Sequence, residues 1–159
     1  VDRRLRPFDA GRLPALGTPL TPQSPPAARA AFLEGWSYFE FDGRWTQGPE
    51  ARLAWRLPPA PGEVTLRLRG WIIRPARGPA PRVELWCGGT RLTTMTAPPK
   101  GQRPDFETTV AIPARRLQGQ TALVLTFVVR DPVTPLDGGL SGDIRPLGYC
   151  LQSVLPVTA

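Results

Sequence analysis

From residue 50 onward the chain alternates apolar and polar side chains with a period of two, as a strand with one buried face requires. In RLAWRL (52–57), Leu53, Trp55 and Leu57 alternate with Arg52, Ala54 and Arg56. In EVTLRLRGWII (63–73), Val64, Leu66, Leu68 and Ile72 form an inward set, and Thr65, Arg67, Arg69 and Trp71 an outward one. RVELWCGGTRLTTM (82–95) reads as two strands around Gly88-Gly89, a dipeptide suited to a two-residue hairpin turn. That register sets Leu85 opposite Leu92 on the inner face and Trp86 opposite Arg91 on the outer one. DFETTVAI (105–112), TALVLTFVVR (121–130) and LGYCLQSVLPV (strand near 147–155) continue the series. TALVLTFVVR is apolar on both faces, which predicts a central position in its sheet.

The first third is less regular. VDRRLRPFDAGRL (1–13) is basic and unpatterned and reads as a lead-in or linker. Two short strands are expected near 16–20 and 29–35, on either side of a Pro-rich bend at 22–26. GWSYFEFDGRW (35–45) holds five aromatic residues in eleven positions without clean alternation. It reads as a cap on one end of the core, with Glu40 and Arg44 satisfying each other or nearby backbone; a ligand contact is the alternative. PARRLQGQ (113–120) allows a single helical turn. About nine short strands and no long helix predict an all-β, two-sheet antiparallel β-sandwich of jelly-roll type, with residues 14–159 as one domain.

Composition supports this. The 21 Pro and 16 Gly leave little room for helices, while 41% hydrophobic residues supply a core for one domain of 159 residues. No apolar run approaches the roughly 20 residues that span a bilayer, and no secretion signal opens the chain. The abrupt VDRRLRPF start, without Met, leads to the expectation of a domain excised from a longer protein.

Charge and side-chain chemistry narrow the function. The net charge of +7 comes from 19 Arg and one Lys against 13 carboxylates. Such an excess can serve an anionic partner, but the Arg residues are scattered and no nucleic-acid-binding motif accompanies them, so nucleic acid is not expected. Salt-sensitive binding of an anionic polymer or lipid stays open. The absence of His removes His-based catalysis and most transition-metal sites. Cys87 and Cys150 cannot complete a four-ligand zinc site, and whether they pair is left open. Glu40 with Asp42 is the most suggestive carboxylate pair, yet nothing sets the separation across a cleft that a glycosidase needs. Asp131, Asp137 and Asp143 in DPVTPLDGGLSGD could offer oxygens to calcium, without EF-hand spacing. No metal or cofactor is expected, and no catalytic residue is assigned.

The outward tryptophans are the sharpest chemical feature. Trp71 shares a strand face with Arg67 and Arg69, and Trp86 with Arg82 and Glu84. Flat indoles stack on the apolar faces of pyranoses while Arg and carboxylates bond the hydroxyls; covering by Pro-rich loops or Arg stems is the competing explanation.

GWSYFEFDGRWTQGPEARLAWRLP, VELWCGGTRL and DPVTPLDGGLSGDIRPLGYCLQSV together resemble a jelly-roll, carbohydrate-binding-module-like domain attached to bacterial glycosyltransferases and envelope-polysaccharide enzymes. The resemblance extends over roughly residues 16–155 and rests on Trp36, Glu40, Gly43, Trp45, Asp131, Pro132, Asp143, Arg145 and Gly148. Cys87 departs from it, standing where the family has Asn before Gly88. It implies a non-catalytic accessory domain of a polysaccharide-biosynthesis protein, in the bacterial cytoplasm or at the inner membrane, that presents a glycan or glycosylated acceptor to the parent chain's catalytic domain. The contact candidates are Trp71, Trp86, Trp36 and Trp45 for stacking, with Arg67, Arg69, Arg145, Glu40 and Asp143 for polar contacts. The alternative is an interaction module that docks on its own catalytic domain, or dimerises, and binds no sugar.

Overall fold

The computed structural model describes residues 10–40 and 42–158. Among these described residues, nine strands form two antiparallel sheets, giving a jelly-roll-type β-sandwich. In chain order they are β1 (Trp36–Glu40), β2 (Gly43–Gln47), β3 (Glu50–Arg56), β4 (Val64–Ile72), β5 (Arg82–Cys87), β6 (Thr90–Met95), β7 (Phe106–Ile112), β8 (Ala122–Arg130) and β9 (Leu147–Thr158). One sheet has the order β1-β2-β9-β4-β7, the other β3-β8-β5-β6. Single helical turns, α1 (Pro26–Arg29) and α2 (Ala114–Leu117), punctuate the loops, and the second lies where PARRLQGQ allowed it.

The alternation read from the sequence is the alternation that folds. Val64, Leu66, Leu68 and Ile72 are fully buried, while Arg67 and Arg69 of the same strand are exposed. β8 lies between β3 and β5, with Leu123, Leu125, Phe127 and Val129 buried. Trp55, Tyr149 and Phe127 are the largest fully buried side chains, each stabilising the fold by roughly 1.5–3 kcal/mol through burial alone. Cys87 and Cys150 are both free thiols.

Four expectations need correction. The stretches 16–20 and 29–35 are not strands, although they still complete the sheets. Residues 31–34 and 14–16 run along the outer edge of β3, where Leu33 N–H donates to Arg52 O, Ala54 N–H to Ala31 O and Arg56 N–H to Pro14 O. Leu20 exchanges both backbone bonds with Val154. The intervening Pro-rich bend becomes α1 because Pro26 occupies its first turn, where a preset φ helps and a missing N–H is harmless. Conversely, the aromatic segment forms two true strands. Its alternation is broken by a bulge between Trp36 and Phe39, which shifts the side chains between faces. Another bulge, between Leu85 and Trp86, corrects the hairpin: Trp86 does face Arg91, but Leu85 faces Thr93 and Leu92 is the extra residue. Finally, Glu40 and Arg44 do not pair: Arg44 takes the other course and donates Nε–H to nearby backbone, Ser37 O at 2.5 Å, while Glu40 accepts from Arg145.

Residues 1–9 of the expected lead-in, and Phe41 of the aromatic segment, lie outside the described residues. Leu13, the last residue of that lead-in, is buried, and its carbonyl accepts from Arg56 Nη1 at 3.1 Å.

Candidate functional site

Three strands that are distant in the chain create the most chemically loaded surface. β9 pairs with β2 on one side and β4 on the other, and the registers Trp45–Cys150 and Trp71–Cys150 align three side chains in one row. This row lies on the outer face of the five-stranded sheet, since β4 alternates Trp71 with the buried Ile72. The Trp45 and Trp71 rings meet edge-on, 4.6 Å apart at 74°. Such a contact contributes about 0.5–1.5 kcal/mol beyond area burial and holds the second ring in one orientation. Ile73, Leu147 and Val133 complete a small apolar cluster that is separate from the main core. Trp45 is only 7% exposed, whereas Trp71 remains half-buried and reachable.

The Cys150 thiol lies between the indoles and the acidic end of β1. Burial, then the nearby Asp42 and Glu40 carboxylates, push its pKa up to about 12 against an opposing Trp71 hydrogen bond. It stays a neutral thiol at ordinary pH, and thiolate chemistry is disfavoured there.

Beside this row, loop 131–146 brings in Arg145. Its Nη1 donates to Glu40 Oε1 at 2.7 Å, while Nε and Nη2 grip the Asp143 carboxylate at 3.0 and 2.7 Å. Three residues named for the sequence pattern thus meet, with Glu40 contributed from 105 positions away. Arg145 is held protonated by these carboxylates, Asp143 foremost. The Asp143 carboxyl in turn lies below its ordinary range, chiefly through the Arg145 side chain and next through the Arg145 backbone N–H.

This has a consequence for acid stability. A carboxyl whose folded pKa is depressed contributes stability that is complete above its unfolded pKa and lost as pH falls through the folded one. Loosening of loop 131–146 is therefore expected below about pH 4, visible as a tryptophan fluorescence transition that Asp143→Asn removes. A transition unchanged in Asp143→Asn would assign the titration to Glu84 or Asp105, whose pKa values are also lowered.

The remaining candidates lie elsewhere. Arg67 and Arg69 share the outer face with Trp71 but are engaged along the sheet, with Glu107 at 3.7 Å and Asp105 at 2.6 Å. Partial burial pushes the Asp105 carboxyl up, but the Arg69 hydrogen bond and Arg103 outweigh it. Trp36 does not face outward as a platform: it packs edge-on against Phe32 and Phe127, both at 5.2 Å, and donates Nε1–H to Arg52 O at 2.8 Å. Trp86 is half-buried on the outer face of the four-stranded sheet, across the sandwich from Trp71. Its Nε1–H donates to Glu84 Oε1 at 3.0 Å, and Glu84 is held ionised by Arg130 first and Trp86 second. The aromatic segment 35–45 is therefore divided: Trp36 packs against the core and Trp45 braces the outer row.

Asp131, Asp137 and Asp143 do not converge, and no cluster of three metal-ligating side chains exists among the described residues. The Trp45–Trp71 contact had no local signal, because β2 and β4 become neighbours of β9 only in the folded sheet.

No protein-family model and no curated protein matches the sequence. Solved structures do share the fold. BtGH115A, a family GH115 4-O-methyl-α-glucuronidase with specificity for decorated arabinogalactans, superposes with a TM-score of 0.57 at 14% identity. The match covers 91% of this chain but 18% of that one, so the chain spans a small part of that enzyme's length. A family 35 carbohydrate-binding module from an environmental isolate gives a TM-score of 0.47 at 12% identity, covering 81% of this chain and 91% of that one. The C-terminal CBM6 of LamC, a marine laminarinase from Zobellia galactanivorans, gives 0.37 at 13%, covering 73% and 78%. At these identities the likeness is one of fold, and the first superposition carries it.

Proposed function

We propose that this chain is a non-catalytic carbohydrate-binding accessory domain whose sugar face is the outer row of the five-stranded sheet. One observation carries the proposal: the reachable Trp71 indole is held edge-on by Trp45 beside the Cys150 thiol, which also feels the Glu40 carboxylate of the Glu40–Arg145–Asp143 group. A pyranose stacks its apolar face on an indole and offers its hydroxyls to carboxylates and guanidinium, and a preset ring orientation lowers the entropy lost on binding. The same group argues against hydrolysis. A glycosidase needs one carboxyl with a raised pKa to donate a proton, whereas Arg145 grips both carboxylates here and Asp143 is lowered. That part of an enzyme specific for decorated arabinogalactans has this fold supports the same assignment. The parent chain would then supply the catalysis, as a glycosyltransferase or polysaccharide-biosynthesis enzyme.

A specific observation favours a second function. Loop 131–146 exposes Leu136 (51%) and Ile144 (73%), with Leu140 also exposed. Apolar side chains on the loop that carries Arg145 would suit docking against the parent's catalytic domain. A glycan array on the 159-residue chain separates the two. Retention of a glycan, abolished by Trp71→Ala and unaffected by Trp86→Ala, is the expected result. Retention lost only in Trp86→Ala would move the site to the other sheet. No retention of any glycan, with a domain that stays folded, would leave docking as the function.

A further inference from the structure

Among the described residues Tyr38 is the most exposed large apolar or aromatic side chain, at 85%. It stands on β1, the edge strand of the five-stranded sheet, so no further strand covers it. The ladder brackets it closely. Trp36 pairs with Thr46 and Phe39 with Arg44, which leaves Ser37 and Tyr38 together opposite Trp45. Ser37 is buried and its Oγ accepts the Trp45 N–H at 3.1 Å. Trp36 and Phe39 both turn away from the outer face: Trp36 meets Phe127 edge-on, while Phe39 meets Phe32 at 5.1 Å and lies under the Arg44 guanidinium. By alternation Tyr38 shares the outer face with Glu40, two positions further along the strand.

The bulge therefore extends the row described above. Tyr38, Trp45, Cys150 and Trp71 lie side by side, one from each of β1, β2, β9 and β4. Only the two ends are open rings, because Trp45 is nearly covered and Cys150 is buried. Three strand spacings separate those ends, roughly 14 Å, which is farther than one sugar ring reaches. A sugar on Trp71 cannot touch Tyr38, whereas a linked chain crossing the strands meets both. Beside the row, Glu40 and the Arg145 guanidinium it holds at 2.7 Å are both partly exposed and offer hydroxyl partners. A ring left in water adds little to folding, yet Tyr is well suited to contact, since only two side-chain torsions must be fixed.

We infer that Tyr38 is the second stacking residue of the sugar face, and that the ligand is a linear glycan crossing the strands from β4 to β1. This rests on the carbohydrate-binding function proposed above and names its ligand class, an oligosaccharide of about three or more linked pyranoses, as the spacing of the two rings requires. Trp71 takes one sugar and Tyr38 a later one in the same chain. Glu40, Arg145 and Asp143 bond hydroxyls alongside them. The step is non-covalent: water leaves both rings as the sugars stack.

A glycan array printed with length series tests this on the 159-residue chain. Each series runs from monosaccharide to hexasaccharide with one linkage, built from glucose, galactose, mannose or xylose. Retention is expected to set in at roughly the trisaccharide of the series that binds. Tyr38→Ala is expected to weaken retention of the longer members about tenfold. Its thermal midpoint should stay unchanged, because the ring lies in water. Tyr38→Phe should bind as the parent does, since stacking uses the ring and not the hydroxyl. Trp71→Ala should lose every length. Retention unaltered in Tyr38→Ala, a loss that Tyr38→Phe does not restore, or a monosaccharide held as tightly as the hexasaccharide overturns the inference. In those cases a loss in Trp71→Ala still supports sugar binding at Trp71. No retention of any series by the parent chain, with the domain folded, overturns the sugar face itself and this inference with it.

Discussion

Trp55→Ala is expected to destabilise the domain by about 3–5 kcal/mol. Trp55 is fully buried on β3, and its Nε1–H donates to Thr18 O at 3.1 Å, which ties the N-terminal segment to the sandwich. Truncation removes the burial energy, opens a cavity between close-packed sheets and strands the Thr18 carbonyl. A domain of this size has roughly 5–15 kcal/mol in total, so the thermal midpoint should fall by roughly 10 °C or more. Thermal denaturation followed by circular dichroism measures it. A loss below about 1 kcal/mol would contradict the packing described for the core. The value also calibrates the sugar face. Trp71→Ala removes a half-buried ring and the contact with Trp45, so its loss should be about 1–2 kcal/mol. A Trp71→Ala loss as large as that of Trp55→Ala would make Trp71 a core residue and remove the basis for stacking.

Gly35→Ala is the second large effect. Gly35 has a φ of +87°, and an added Cβ would lie 1.9 Å from Glu50 O and 2.7 Å from Ala51 Cα. Those atoms are backbone of β3 and cannot swing aside as a side-chain tip would. The substitution combines left-handed strain with overpacking, for an expected loss of roughly 2–5 kcal/mol in urea unfolding. The effect should reach the site, because Gly35 O accepts from Gln47 N–H at 2.7 Å and so sets the start of the β1–β2 hairpin that carries Glu40. Weaker glycan retention is therefore expected to accompany the lost stability. Unchanged stability would show that the hairpin can slide relative to β3, and that the close approach is not required.

How much of this was visible beforehand depends on which physical rule governs each part. β4, β8 and the β5–β6 hairpin were legible because every second side chain is sorted to one side of a strand whatever its neighbours are. The hairpin reading failed only at Leu92, where an extra residue enters the ladder, and a bulge leaves little mark on a hydrophobic pattern. β1 and β2 were hidden by the same device between Trp36 and Phe39. The stretches 16–20 and 29–35 misled for the opposite reason: they bridge to the sheets at isolated residues, Leu20 and Phe32, without having a strand's length.

The site divides along the same line. The resemblance named Glu40, Asp143 and Arg145 as motif positions, but that they meet is decided by the fold, since periodicity carries no information about a residue 105 positions away. The order of residues already decided that this chain makes a two-layer β-sandwich, and which side chains on each main strand face the core, since alternation is a covalent property of the extended chain. It could not decide which strands lie side by side. That choice was made in the folded sheet, where β9 joins β2 to β4 and thereby sets Trp45 against Trp71, while the alternation within β2 turns Arg44 toward Phe32 and Phe39. Strand neighbours are selected by the packing of both layers at once, and no local stretch contains that sum.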